Sequence, residues 1–152
     1  MSMREPGDAT WASRMLSVLR IVAGLLFFEH GLQKMFGFPP GSGPHPPYVL
    51  ISQMGLAGLL ETFGGFAMIL GLLTRPIAFL LSGEMAVAYF QVHIHRSIYP
   101  IENRGENVVL FCFVFLYLVF AGGGDWSIDA LLARRRARAI EHGMSAASAA
   151  AD

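Results

Sequence analysis

Charge is what this sequence has least of: only 14% of its 152 residues are Asp, Glu, Lys or Arg. Soluble domains carry about 25%, so the composition leans away from a water-solvated globule. Neither sign dominates, with 11 Lys and Arg against 11 Asp and Glu. A binder of polyanions needs a basic excess, so nucleic acid is not an expected partner. Cysteine is nearly missing as well, and Cys112 stands alone. One thiol excludes an internal disulfide, a Cys-x-x-Cys redox pair and a thiolate-rich zinc or iron–sulfur site. No period of roughly 20–50 residues repeats, and the length allows one domain at most.

What the chain does have is apolar residues, 54% of the total, gathered in four blocks. A bilayer core needs roughly 20 predominantly apolar residues per helix, within about 17–25. The blocks give expected spans over residues 15–36, 50–73, 76–95 and 106–122. A soluble core helix keeps a charged outer face, whereas Val108–Phe120 is apolar all round. The expected fold class is therefore all-α, a four-helix transmembrane bundle with a short C-terminal amphipathic interfacial helix. The first span is too long for the apolar region of a cleavable signal, and Glu29–Lys34 stands where a small-residue cleavage site would lie. It reads as a retained anchor.

Basic residues set the orientation. Arg4, Arg14, Arg20, Arg75, Arg134, Arg135, Arg136 and Arg138 fall on one side of the expected spans, and only Lys34, Arg96 and Arg104 on the other. Both termini are expected in the cytoplasm. Trp11 and Trp126 would anchor one interface, Tyr48 and Tyr99 the other. Residues 1–13 read as a cytoplasmic tail, 14–122 as the membrane domain, 123–142 as an interfacial segment and 143–152 as a disordered tail. Thr74-Arg75-Pro76 forms a very short connection, so the second and third spans are expected as antiparallel neighbours. The proline-rich stretch 38–47 cannot continue a helix and reads as an extended external loop. Gly122–Gly124 stop the fourth span, Ser127 or Asp125 can cap the next helix, and Ile128–Glu141 reads as a basic amphipathic helix on anionic lipid.

Ionisable groups inside spans cost roughly 2.5–3.5 kcal/mol each at the bilayer centre and persist where they pair, protonate or line a polar cavity. The first span holds Glu29, His30, Gln33 and Lys34, the second Glu61, the third Glu84 and Gln91; Glu106 and Asn107 open the fourth. Each of four helices thus brings a carboxylate to the middle or outer half of the bundle. Two readings follow. The groups form a buried network that only locks packing, with Lys34 or His30 on Glu29 and Glu61 against Glu84. Alternatively they line a polar pocket that handles protons or a redox-active headgroup. Low dielectric favours the neutral form of an acid, which suits Glu61 and Glu84 to proton exchange with a quinol. Quinone is the one cofactor such a pocket would suit, and no metal site is expected. A di-iron bundle needs Glu-x-x-His on two helices, which this chain lacks. His30 and His93 lie at different depths for a bis-histidine haem. His93 and His95, near Glu102 and Glu106, point to different helix faces. The many glycines of the first two spans read as packing surfaces, and Cys112 as a small buried hydrophobe.

The run from Leu19 to Gly37, with Phe28-Glu29-His30-Gly31-Leu32-Gln33-Lys34 at its centre, resembles the first-helix signature of the DoxX family. Glu61-Thr62-Phe63-Gly64-Gly65 and Gly71–Arg75 are similar to its second-helix segment; Asn103-Arg104-Gly105-Glu106 and Gly124–Asp129 resemble its later motifs. The resemblance implies a small four-helix protein of the bacterial inner membrane. It also implies a link to redox metabolism, since the family takes its name from a subunit of an archaeal thiosulfate:quinone oxidoreductase. Some bacterial members are tied to a membrane oxidoreductase complex with superoxide dismutase and a sulfurtransferase. The motif positions Glu29, His30, Gln33, Lys34, Glu61, Asn103 and Glu106 coincide with the polar residues selected above. The expected role is thus a membrane subunit in quinone-linked, oxidative-stress or sulfur metabolism. Its partners would be the lipid bilayer and either a second copy or soluble redox proteins. A scaffold recruiting such proteins through the basic helix, or a small-solute or proton-coupled permease, are the rival readings.

Overall fold

A computed structural model describes residues 6–40, 49 and 51–149, and the chain is helical throughout, with no strand among the described residues. Arg4, Tyr48, most of the stretch 38–47 and residues 150–152 lie outside them. Helix α1 runs Pro6–Phe36. Proline at its first position loses no hydrogen bond, because that N–H has no partner inside a helix. The helix therefore begins within the stretch read as a tail. Next comes a rod of three parts: α2 (Gln53–Leu59), a wide π turn over Leu60–Gly64, and α3 (Gly65–Leu70). Helix α4 (Thr74–Ala88) continues into a second wide turn, Tyr89–His93. A single helical turn, α5 (Pro100–Asn103), precedes α6 (Glu106–Ala121). The last helix, α7, is Ile128–Ala149, longer than the basic stretch alone. Alanine is the best helix former, so the alanine-rich end continues the helix.

Two helical stretches are long and apolar enough to cross a membrane, Thr10–Phe36 and Gln53–Leu70; Glu106–Ala121 is apolar but shorter. Only 33% of the 18 most apolar consecutive residues of either stretch are buried in the protein, unlike the core helix of a soluble domain. Leu25, Phe63, Phe66, Phe79, Phe90, Phe113 and Phe120 all stand exposed. An apolar exterior this broad is a surface for lipid.

α1 packs along the α2–α3 rod, and α4 packs along α6. Glycine makes the first contact close. A Cβ on Gly31 would overlap the Thr62 backbone, one on Gly65 would come within 2.6 Å of Phe28 N, and one on Gly24 within 2.9 Å of Ile69 N. Phe27, Met68, Ala78, Leu81, Met85, Phe115 and Leu118 form the buried core between the two pairs.

The end of the bundle near Arg20 is held by polar groups. Arg20 is fully buried. It donates from Nε to Gly123 O at 2.9 Å, from Nη2 to Trp126 O at 2.7 Å, and from Nη1 to Met68 O and Ile69 O. Gly71 ends α3 in the left-handed region, at φ +67°, and Gly71–Leu73 form the turn into α4. Ser127 Oγ accepts from Ala130 N at 3.1 Å, capping α7. Asp129 instead caps α4: its two oxygens accept from Leu73 N at 2.9 Å and Thr74 N at 2.8 Å. Leu73 has a φ of 48°, a conformation an L side chain resists. Asp129→Ala is expected to cost about 1–2 kcal/mol, read as a lowered unfolding midpoint in detergent.

Candidate functional site

The last turns of α1 place Gly31 and Lys34 three residues apart, hence on one face. Gly31 lets the backbone of the wide turn Leu60–Gly64 lie directly against α1. Lys34, one turn further out, then reaches Glu61 in that turn, with Nζ 2.5 Å from Oε1. A π turn adds a residue to the helical circuit and re-aims the side chains after it, and such turns recur at functional sites. The Glu61 side chain is 3% exposed and Lys34 29%, so the acid is sealed while the lysine borders open space. Glu61 Oε2 is buried without a hydrogen-bond partner. Thr62 beside it is satisfied locally, its hydroxyl donating to Gly58 O at 2.7 Å.

Glu84 comes from α4, and both of its carboxylate oxygens are buried and unpartnered. It lines one cavity together with Lys34. Three helical segments thus bring two acids and one lysine to a common centre. Beside it lies a cavity of about 510 Å³ bounded by Lys34, Glu84, Gln53 and Gln91 and otherwise by apolar side chains such as Met54, Leu60, Met85 and Val92. Gln53 Nε2 donates to Gln91 Oε1 at 3.0 Å, joining α2 to the second wide turn across the cavity. The cavity can take an apolar ligand whose polar end meets Lys34, Gln53 and Gln91.

Other residues selected from the sequence lie elsewhere. Glu29 and Glu106 are exposed. Lys34 pairs with Glu61, not with Glu29. His30 is exposed and borders a separate groove between α1 and α6 with Asn107, its ring edge-on to Phe111 at 6.4 Å. Gln33 donates to Pro39 O at 3.1 Å, bracing the chain after α1.

Asn103 is fully buried and organises the loop before α6. Its Nδ2 donates to Ser97 O at 2.7 Å and to the Tyr89 hydroxyl at 3.3 Å, while Oδ1 accepts from Gly105 N at 2.7 Å. His93 Nδ1 lies 3.0 Å from Asn103 O and its ring stacks on Tyr89. These contacts hold the second wide turn, whose Gln91 and Val92 line the cavity. Cys112 is half-buried beside Ser82, whose hydroxyl donates to Cys112 O at 2.9 Å.

Two residues escaped the sequence reading. Gln53 borders the cavity, but it sits at the edge of an apolar block where a polar residue looks like a helix start. Arg20 counts as one more inner-side charge until its burial is seen; its position inside the first apolar block was the available signal.

The sequence model of the DoxX family matches residues 15–94. An uncharacterized protein of Haemophilus influenzae is 40% identical over 117 residues, covering 75% of this chain and 87% of that protein. The Escherichia coli inner membrane protein YqjF is 30% identical over 133 residues, covering 78% and 92% respectively. An uncharacterized membrane protein of Mycobacterium tuberculosis is 27% identical over 135 residues, covering 77% and 80%. No solved structure matches the chain.

Proposed function

Because the chain belongs to the DoxX family and its relatives are membrane proteins, we propose a four-pass protein of the bacterial inner membrane that binds a lipid-borne quinone headgroup. In this reading α1, the α2–α3 rod, α4 with its wide turn, and α6 are the spans, and both termini are cytoplasmic. The chain acts as the membrane subunit of a redox assembly. Glu84 and Glu61 exchange protons with the bound ring, and the electrons pass to a redox partner.

The observation that carries this reading is a cavity of about 510 Å³ where Lys34, Gln53 and Gln91 meet apolar walls, beside the buried carboxyl of Glu84. A buried unpaired carboxylate is costly, and binding a proton lowers that cost by removing its charge. Apolar walls suit a ring and chain that arrive through lipid. Lys34 and the glutamine amides can donate to ring oxygens, and the carboxylates can hold a proton.

Native purification followed by mass spectrometry of the lipid extract tests it. The wild type is expected to retain quinone. Ala88→Trp, which fills the cavity from α4, should lower retention to below about a tenth. Phe113→Trp, on the exposed face of α6, should leave it unchanged. A wild-type protein that retains no quinone defeats the proposal.

A second reading rests on α7, where Arg135, Arg136 and Arg138 all stand exposed. A scaffold would use them to recruit soluble redox proteins. Their neutralisation would then disrupt assembly while Ala88→Trp would not.

A further inference from the structure

Near Arg20 the bundle carries a depression of about 430 Å³ between the turn into α4 and the loop that leaves α6, bordered by Arg75, Gly122, Gly123, Gly124 and Asp129. It meets a shallow apolar groove of about 550 Å³ between α4 and α6, walled by Phe79, Leu80, Val119 and Phe120. Arg75 and Pro76 border both. Phe79 stands one turn past Arg75 on the same face of α4, and Phe79, Leu80 and Phe120 are exposed. Arg75 is exposed too, with no hydrogen bond or ion pair among the described residues. Its guanidinium lies along the glycine loop, since a Cβ on Gly122 would stand 3.6 Å from Arg75 Nε and 3.7 Å from Nη2. Buried Arg20 donates to Gly123 O in the same loop. Asp129 is the one carboxylate at the border, and its oxygens already accept from Leu73 N and Thr74 N. Asp125, next along the chain, pairs with Arg134 at 3.3 Å. Two guanidinium groups against one carboxylate leave this recess positive.

We infer that an anionic glycerophospholipid docks here, its phosphodiester on Arg75 beside the glycine loop and one acyl chain in the groove between α4 and α6. The inference rests on α4 and α6 crossing the membrane and does not involve the quinone cavity. An unpaired guanidinium can give a phosphate two parallel N–H···O bonds, and basic recesses at the cytoplasmic ends of spans suit anionic headgroups. Each simpler occupant leaves part of the site unused. Free phosphate leaves the groove empty, and a neutral diacylglycerol leaves Arg75 without a partner. A zwitterionic phospholipid brings the phosphate together with an ammonium that the positive recess opposes. A net negative phospholipid matches the guanidinium, the charge balance and the apolar wall at once. An arginine that only marked the cytoplasmic side would need neither the recess nor the groove.

Native mass spectrometry of the full chain in detergent micelles tests it by counting bound lipid. Dioleoyl phosphatidylglycerol, dioleoyl phosphatidylethanolamine and dioleoylglycerol are titrated separately. The first is expected to bind roughly tenfold tighter than dioleoylglycerol and about threefold or more tighter than phosphatidylethanolamine. Arg75→Gln should bring phosphatidylglycerol to within about twofold of dioleoylglycerol. Arg136→Gln, which removes another exposed charge from α7, should leave the preference intact. An excess of inorganic phosphate should fail to displace the lipid. The lipid comparison uses the wild type alone, so it stands even where Arg75→Gln does not fold. Equal binding of the three lipids, displacement by phosphate, or a loss in Arg136→Gln as large as in Arg75→Gln overturns the inference. The spans are checked separately with Phe79→Cys in a Cys112→Ser background, reconstituted in vesicles, where the new thiol should resist a water-soluble maleimide. Rapid labelling overturns the four-pass reading and this inference with it, whereas a shielded thiol without lipid preference overturns the inference alone.

Discussion

Arg20→Ala lowers stability by about 3–5 kcal/mol, the size expected when several charge-assisted hydrogen bonds are lost from a buried site. The guanidinium is fully buried and serves four carbonyl oxygens, on Met68, Ile69, Gly123 and Trp126. Two of these close the C-terminal end of α3, where a cation is favoured by the helix dipole. The other two belong to the loop that leads into α7. One side chain therefore fixes α1, α3 and the final helix to each other. Arg20→Lys keeps the charge but not the planar fork of donors, so it should recover less than half of the loss. Thermal unfolding in detergent checks both variants. A midpoint for Arg20→Ala equal to that of the wild type would show that the clamp contributes little. The centre at Lys34 is 14 residues further along α1, about 21 Å at the helical rise. Ligand binding should thus decline only as the folded fraction declines.

The helical class and the lipid-facing exterior were legible because they depend on composition over long stretches. Val108–Phe120 has no polar side, and no arrangement of a soluble core uses such a helix on its surface. Glu61, Glu84 and Lys34 were also legible as candidates, since ionisable residues inside apolar runs stand out. Their pairing was not. Spacing along α1 sets Lys34 below His30 and suggests Glu29 as the partner, yet Lys34 reaches across to Glu61. That contact depends on the wide turn Leu60–Gly64 and on the absence of a side chain at Gly31. A π turn leaves no mark in composition, and a glycine does not announce which backbone it admits.

Capping shows the same divide. Ser127 was readable because it caps the helix it precedes. Asp129 caps α4, more than fifty positions earlier in the chain, through Leu73 and Thr74. Only the fold brings these groups together. Asn103 was selected by family resemblance as part of a pocket, and the structure sets it in a loop, hydrogen-bonded to Ser97, Tyr89 and Gly105.

Lys34→Met is expected to cost about 3–5 kcal/mol, because it leaves the sealed Glu61 carboxylate without its counter-charge. Glu61→Gln should cost less, about 1–2 kcal/mol. The asymmetry follows from exposure: the lysine side chain is 29% exposed and can turn its ammonium outward, while the glutamate at 3% cannot leave. Combining Lys34→Met with Glu61→Gln removes both charges and should restore stability to within about 1.5 kcal/mol of the wild type. The double variant is then more stable than Lys34→Met alone, a strongly non-additive result that a double-mutant cycle in mixed micelles measures directly. Simple additivity would mean that the two residues do not depend on each other. The cycle also separates structure from function. If the pair only locks α1 to the wide turn, the double variant regains ligand binding along with stability. If Lys34 itself meets the ligand, the double variant folds but still fails to bind, because the ammonium has left the cavity wall.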